Sequence, residues 1–283
     1  MGLTKMRCLF CCLGLLALGR AGFGQGEVRR FEMSSKATGA TYAVEVVLPA
    51  GALSGGAKYP ALFCTDWFIL GDYLKALPKL MNMGRLTEPF ILVGIAGPAT
   101  MDAWATARTR DFTPARPADE YSRKNTYPPA LEQAGGARKF AAFLRDELVP
   151  RVQADFPVDP ARRGFLGYSL GALLGVYLLM NDPALFDTWL LGSPSLWFNG
   201  FELVTAFHDA PAKGLEPVRW IYLSVGEEES WEMLRGFGAL RDALREKGFE
   251  GPRMKAEIIR EAGHVGAMPI ALYNGIRFLL RGR

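Results

Sequence analysis

Arg163-Gly164-Phe165-Leu166-Gly167-Tyr168-Ser169-Leu170-Gly171-Ala172-Leu173-Leu174-Gly175-Val176-Tyr177-Leu178-Leu179 is the stretch that decides how this protein folds. Residues 163–168 read as a short buried strand and residues 170–180 as an apolar helix. Between them, Gly167-Tyr168-Ser169-Leu170-Gly171 fits G-x-S-x-G. A strand that turns at once into a helix brings its backbone back on itself, and glycines on both sides of the turn leave room for that. Ser169 Oγ would then stand clear of the sheet at a helix N-terminus, where amide N–H groups favour developing negative charge. The plain alternative is a glycine-rich turn without chemistry.

Outward from this turn, strands and helices alternate. Residues 41–48, TYAVEVVL, alternate apolar and polar as a strand does. Ala61–Cys64 and Phe90–Ile95 are short continuous apolar runs bounded by Pro or Gly, the pattern of buried parallel strands. A helix is expected over 73–83, and an amphipathic one over 136–153 with Phe140, Phe143, Leu144, Leu148 and Val152 on one stripe. Further strands fall at 187–191, 218–225 and 254–260, and further helices at 231–247 and 267–281. Residues 96–134 show no sustained periodicity and carry five prolines, so they read as a long active-site loop. The pattern predicts a single α/β domain over 25–283, with a mostly parallel sheet covered by helices on both faces.

A serine hydroxyl needs a base, and the sequence has two histidines. His264 follows a strand and precedes the last helix, in Gly263-His264-Val265-Gly266. That is a late position, after the serine, where an α/β-hydrolase keeps its base. His208 has nothing chemical around it and reads as a surface residue. An acid that orients the imidazole should come from a loop between the two. Gly226-Glu227-Glu228-Glu229 follows a strand there, with Glu229 the first choice and Glu228 the alternative. A solvated helix start is the other reading of the three carboxylates.

The N-terminus begins MGLTKMR, then CLFCCLGLLALG, then RAGFGQ. A basic start, about a dozen apolar residues and small residues before a break mark a secretory signal peptide over 1–24. The run is too short for a permanent span, which needs roughly 20 apolar residues. Removing 24 of the 283 residues leaves 259, and three of the four cysteines go with them. Cys64 then has no disulfide partner and reads as a buried structural thiol. The formal charge of +4 falls to +1, with 30 basic and 29 acidic residues, which argues against a nucleic-acid partner. No His/Cys/carboxylate spacing suits a metal, and no cofactor is called for.

These segments together resemble the esterase branch of the α/β-hydrolases that includes siderophore (enterochelin-type) esterases, feruloyl esterases and mycolyl transferases. The resemblance runs through Tyr59-Pro60-Ala61-Leu62-Phe63, residues 135–150, the Ser169 turn and Phe186-Asp187. It continues through Ser193-Pro194-Ser195-Leu196-Trp197, Leu223-Ser224-Val225-Gly226-Glu227 and Gly263-His264. It implies the α/β-hydrolase fold, with Ser169 as nucleophile, His264 as general base and the acidic cluster as the third member. Oxyanion N–H groups would come from Leu170 and from the segment after the third strand, at Trp67 or Phe68. Where the family usually has Asp-Gly, this protein has Asp66-Trp67, and the indole is expected to reshape the pocket. Arg108, Arg110 and Asp111 resemble a siderophore-esterase region, which suggests Arg110 as a grip on an anionic or catecholate substrate. Trp104 and Trp197 would line an aromatic-accepting pocket.

The expectation is an exported serine esterase acting on a small-molecule carboxylic ester through an acyl-enzyme, with no stable membrane insertion of the mature protein. An acyltransferase with the same site, or a binding protein that kept the fold, are the alternatives. Substrate identity belongs to loops and is not legible here.

Overall fold

A computed structural model describes residues 26–118, 124 and 127–281. Among these residues, eight strands form one sheet in the order β1-β2-β4-β3-β5-β6-β7-β8. They are β1 Glu27–Ser34, β2 Thr41–Leu48, β3 Tyr59–Cys64, β4 Ile91–Ala96, β5 Val158–Tyr168, β6 Thr188–Gly192, β7 Trp220–Gly226 and β8 Met254–Ile259. β1 lies at the edge of the sheet and pairs antiparallel with β2, which pairs antiparallel with β4. From β4 to β8 every neighbouring pair is parallel.

The α-helices that connect or cover the strands are, among the described residues, α1 Trp67–Met83, α2 Met101–Phe112, α3 Ala137–Ala142, α4 Val149–Asp155, α5 Leu170–Asn181, α6 Glu202–Asp209, α7 Trp231–Glu246 and α8 His264–Leu279. The inner parallel strands β3, β4, β6 and β7 are buried on both faces, so their side chains divide between two cores. In β3, Ala61 and Phe63 join the larger core with α3, α5 and α7, while Leu62 and Cys64 join the one under α1 and α8. That two-sided burial explains the continuous apolar runs. Cys64 is fully buried, and burial pushes its thiol well above the ordinary range.

The topology fixes where a site can form. β3 has β4 on one side and β5 on the other, and the helices that follow β3 and β5 leave toward opposite cores. A crevice opens at the carboxyl ends of such a strand pair. Its two walls are the starts of α1 and α5, whose first residues are Trp67 and Leu170.

Several sequence expectations need correction. β1 escapes the strand pattern, because an edge strand with solvent along much of both faces shows no clean alternation. The segment 96–134 is not a continuous loop: it contains α2, started by Thr100, whose hydroxyl accepts the Ala103 N–H. Hydrophobic periodicity misses this helix because its buried face includes Arg108, Thr109 and Asp111 beside Ala107 and Phe112. Residues 119–123, 125 and 126 of that segment, and residues 1–24, on which the signal-peptide expectation rests, lie outside the described residues. The helix expected over 136–153 is α3 and α4 joined by a π turn at Phe143–Leu148. Pro150 has no N–H for the carbonyl four residues back, which loosens the ladder there.

Asp187, beside β6, offers a stability test. Burial pushes its carboxyl up to about 6 against the pull of Arg219 and Arg162. A carboxyl raised above its unfolded value costs nothing below pH 4 and carries its full cost above pH 6. Asp187→Asn is therefore expected to gain about 1–3 kcal/mol at pH 8 and almost nothing at pH 3.5. Urea unfolding at the two pH values checks this; an equal change at both would refute it.

Candidate active site

Ser169 sits between β5 and α5 with φ 59° and ψ −119°. A non-glycine residue in that region stores about 1–3 kcal/mol, so neighbours must hold it. They do so by backbone bonds: Ser169 N–H donates to Gly192 C=O at 2.9 Å, and Ser169 C=O accepts from Ser195 N–H at 3.2 Å. The flanking glycines are needed for close approach. A Cβ at Gly167 would lie 2.3 Å from Gly171 O, and one at Gly171 would lie 2.4 Å from Thr65 Oγ1 and 2.9 Å from Asp66 Oδ2. Ser169 is 6% exposed, and its Oγ lies 3.2 Å from Ser195 Oγ. Trp67 and Leu170 each open a helix, so their N–H groups are among those that a helix leaves unused.

His264 is the first residue of α8, and its Nδ1 lies 2.6 Å from Glu229 Oε2. The Glu229 side chain is 1% exposed and that of His264 40%. Glu229 is brought there by tight pairing of two loops: Glu227 N–H binds Ile259 C=O, and Glu228 N–H binds Ala262 C=O. Of the three carboxylates, those of Glu227 and Glu228 face solvent, and Glu227 accepts the Glu261 N–H. Burial pushes the Glu229 carboxyl up. Hydrogen bonds from His264, Ser193 Oγ and Gly226 N–H outweigh it and hold the group below the usual carboxylate range. His208 is exposed and paired with Asp209 and Glu246.

Around the nucleophile, several side chains stand elsewhere than the sequence predicts. The Trp67 indole does not reshape the pocket: it lies on Gly94 of β4 and donates to Glu45 Oε2 at 3.1 Å. Gly94 leaves the room, since a Cβ there would fall inside the ring. Arg110 is bound to its neighbour Asp111 by two bonds of 2.8 Å, so its fork is already occupied. Arg108 is the arginine that reaches the nucleophile turn, through Asp66, whose Oδ2 lies beside Gly171. It holds Asp66 by two bonds of 3.0 and 2.9 Å, both partners are under 10% exposed, and its Nη1 donates to Tyr127 at 3.2 Å. Trp104 covers this guanidinium at 4.6 Å and neighbours Phe68 at 6.0 Å. Trp197 meets the Tyr127 ring at 6.2 Å, with its N–H directed at Met233 Sδ. Sequence reasoning misses the roles of Asp66, Arg108, Ser193 and Ser195. Arg108 and Ser195 lie in segments that carry the family resemblance, but no local pattern distinguishes Arg108 from Arg110 or gives Ser195 a role.

A mostly parallel sheet with a serine on the strand-to-helix turn and a late histidine–carboxylate pair defines an α/β-hydrolase. The Esterase family, described as "Putative esterase", matches residues 35–236, and the chain belongs to it. It is 30% identical over 268 residues to ferri-bacillibactin esterase BesA of Bacillus subtilis (strain 168), covering 90% of this chain and 89% of that protein. Among solved structures, an IroE-like serine hydrolase from Shewanella oneidensis superposes with TM-score 0.76 at 23% identity, over 90% of this chain and 80% of the other. The enterobactin hydrolase IroE in complex with DFP gives TM-score 0.72 at 19% identity, over 91% and 96%. The protein is thus an enzyme of the serine carboxylic-ester hydrolase class.

Proposed function

We propose that this protein cleaves a small carboxylic ester through an acyl-enzyme on Ser169, with His264 as base and Glu229 as the acid that orients it. The observation that carries this is the 2.6 Å contact between His264 Nδ1 and the buried Glu229 carboxylate. Held at Nδ1, the imidazole presents Nε2 to the proton it must take. The Ser169 hydroxyl turns from Ser195 to Nε2 and gives up its proton as Oγ adds to the ester carbonyl. The N–H groups of Leu170 and Trp67 take the oxyanion. Collapse breaks the ester C–O bond, and His264 returns the proton to the leaving alkoxide. Water then repeats the cycle and frees the acid and Ser169.

The relatives support a siderophore-type ester as substrate. BesA is named a ferri-bacillibactin esterase. The Tyr127–Trp197 and Trp104–Phe68 ring pairs suit an ester bearing aromatic groups such as a siderophore. The signal-peptide character of 1–24 supports export. No helix among the described residues is long and apolar enough to cross a membrane.

The test is a panel of p-nitrophenyl, feruloyl and siderophore-type esters, with peptide mapping of a fluorophosphonate adduct. Label on Ser169 and turnover of at least one ester are expected; label elsewhere, or none, overturns the reading. Glu229→Ala is expected to lower kcat roughly 10²- to 10⁴-fold, and Glu228→Ala less than about twofold. The reverse order would move the acid by one residue.

A further inference from the structure

Ser193 is fully buried, yet its backbone lies at φ 40°, where a side group is costly. Its Oγ is 2.6 Å from Glu229 Oε1 and 2.9 Å from the Tyr168 hydroxyl. Tyr168 in turn donates to the backbone carbonyl of His264 at 2.6 Å. With the Glu229–His264 bond these polar contacts close a ring of four residues. The residues come from the end of β5, the loop after β6, the loop after β7 and the start of α8. Protons can be assigned around it. The Tyr168 proton goes to the His264 carbonyl. Ser193 has one proton and two acceptors, and the ionised carboxylate is the stronger.

We propose that Ser193 is a positioning residue of the esterase site, acting through Glu229. It fixes the carboxylate from the side opposite His264, while Tyr168, packed 2.9 Å from Ser193 Oγ, ties the backbone of His264 to the residue before the nucleophile. The same Ser193-Pro194-Ser195 loop reaches Ser169 through Ser195, so one short loop holds both the acid and the nucleophile. The inference rests on the function proposed above. It explains why a hydroxymethyl group is kept at a strained, buried position where glycine would be cheaper. The titratable groups facing Glu229 are His264 and Tyr168.

The test compares Ser193→Ala with Ser193→Gly. Both remove the hydroxyl, but only glycine relieves the positive φ, so S193G should unfold at a higher temperature than S193A. Both should be inactivated by a fluorophosphonate, and turn over ester, roughly ten- to a hundredfold more slowly than the wild type. Without the Ser193 proton, Glu229 draws more strongly on the His264 proton. The acid limb of the kcat/KM profile should therefore move to higher pH in both variants, which a merely structural role would not cause. Tyr168→Phe should also slow the enzyme, and adding it to S193A should cost less than the product of the two single effects. Wild-type inactivation rate and an unmoved acid limb in S193A, or recovery of activity in S193G, would overturn the proposal. A wild type whose Ser169 takes no label would instead overturn the functional reading on which it stands.

Discussion

Ser169→Ala is expected to lose ester hydrolysis by roughly 10⁴- to 10⁶-fold and to take no fluorophosphonate label. The size follows from the lack of a substitute nucleophile with the same setting among the described residues. Ser195 Oγ is near, but Ser195 is 1% exposed and does not stand on the turn that presents Ser169 at the start of α5. Residual hydrolysis would come from oxyanion N–H groups and binding alone. Stability should change little, since alanine accepts the same backbone strain and only the contact with Ser195 is lost. Intact-mass labelling and single-turnover hydrolysis read the two effects separately. A variant that kept even a tenth of the wild-type rate would refute the covalent mechanism.

Arg108→Gln should be the most damaging change to stability. It leaves the Asp66 carboxylate buried at the crevice without its cation, an arrangement that costs about 3–5 kcal/mol. Burial already pushes the Asp66 carboxyl up, against the pull of Arg108. With the arginine gone its folded value rises further above the unfolded one. The penalty is therefore absent below the unfolded carboxylate range and grows as pH rises through it. Activity should fall too, because Asp66 Oδ2 lies against Gly171 in the first turn of α5, where an uncompensated anion opposes the developing oxyanion. The double variant Asp66→Asn with Arg108→Gln removes both charges and should recover most of the stability. Urea unfolding at pH 7 and pH 4.5 checks the sign. Equal loss in the single and double variants would show that the pair matters for packing rather than charge.

How far the sequence can be read follows from what each element packs against. The inner parallel strands β3, β4, β6 and β7 are legible because burial on both faces makes them apolar almost throughout, and the Ser169 turn because close approach demands glycine at 167 and 171. α2 is not, since its inner face holds an ion pair in place of an apolar stripe. The choice among Glu227, Glu228 and Glu229 is made by loop pairing at Ile259 and Ala262, contacts some 30 residues away that no local pattern encodes. Trp67 misleads for a related reason. Its indole follows the space above Gly94, while only its backbone follows the turn.

The edge strand β1 has a bearing on how this esterase behaves in a crowded solution. Without residues 1–24 the protein is nearly neutral, with 30 basic and 29 acidic side groups, so long-range repulsion between copies is weak. An edge with free N–H and C=O groups then invites strand recruitment by a neighbouring molecule. In β1, Glu27, Arg29, Arg30 and Glu32 stand exposed along that edge, and Arg29 and Arg30 are paired with Glu27 and Glu45. A second strand could dock only by stripping water from four charges. With residues 1–24 gone, the barrier to recruitment at this edge would therefore lie in the charges of β1 itself and not in the molecule's overall charge.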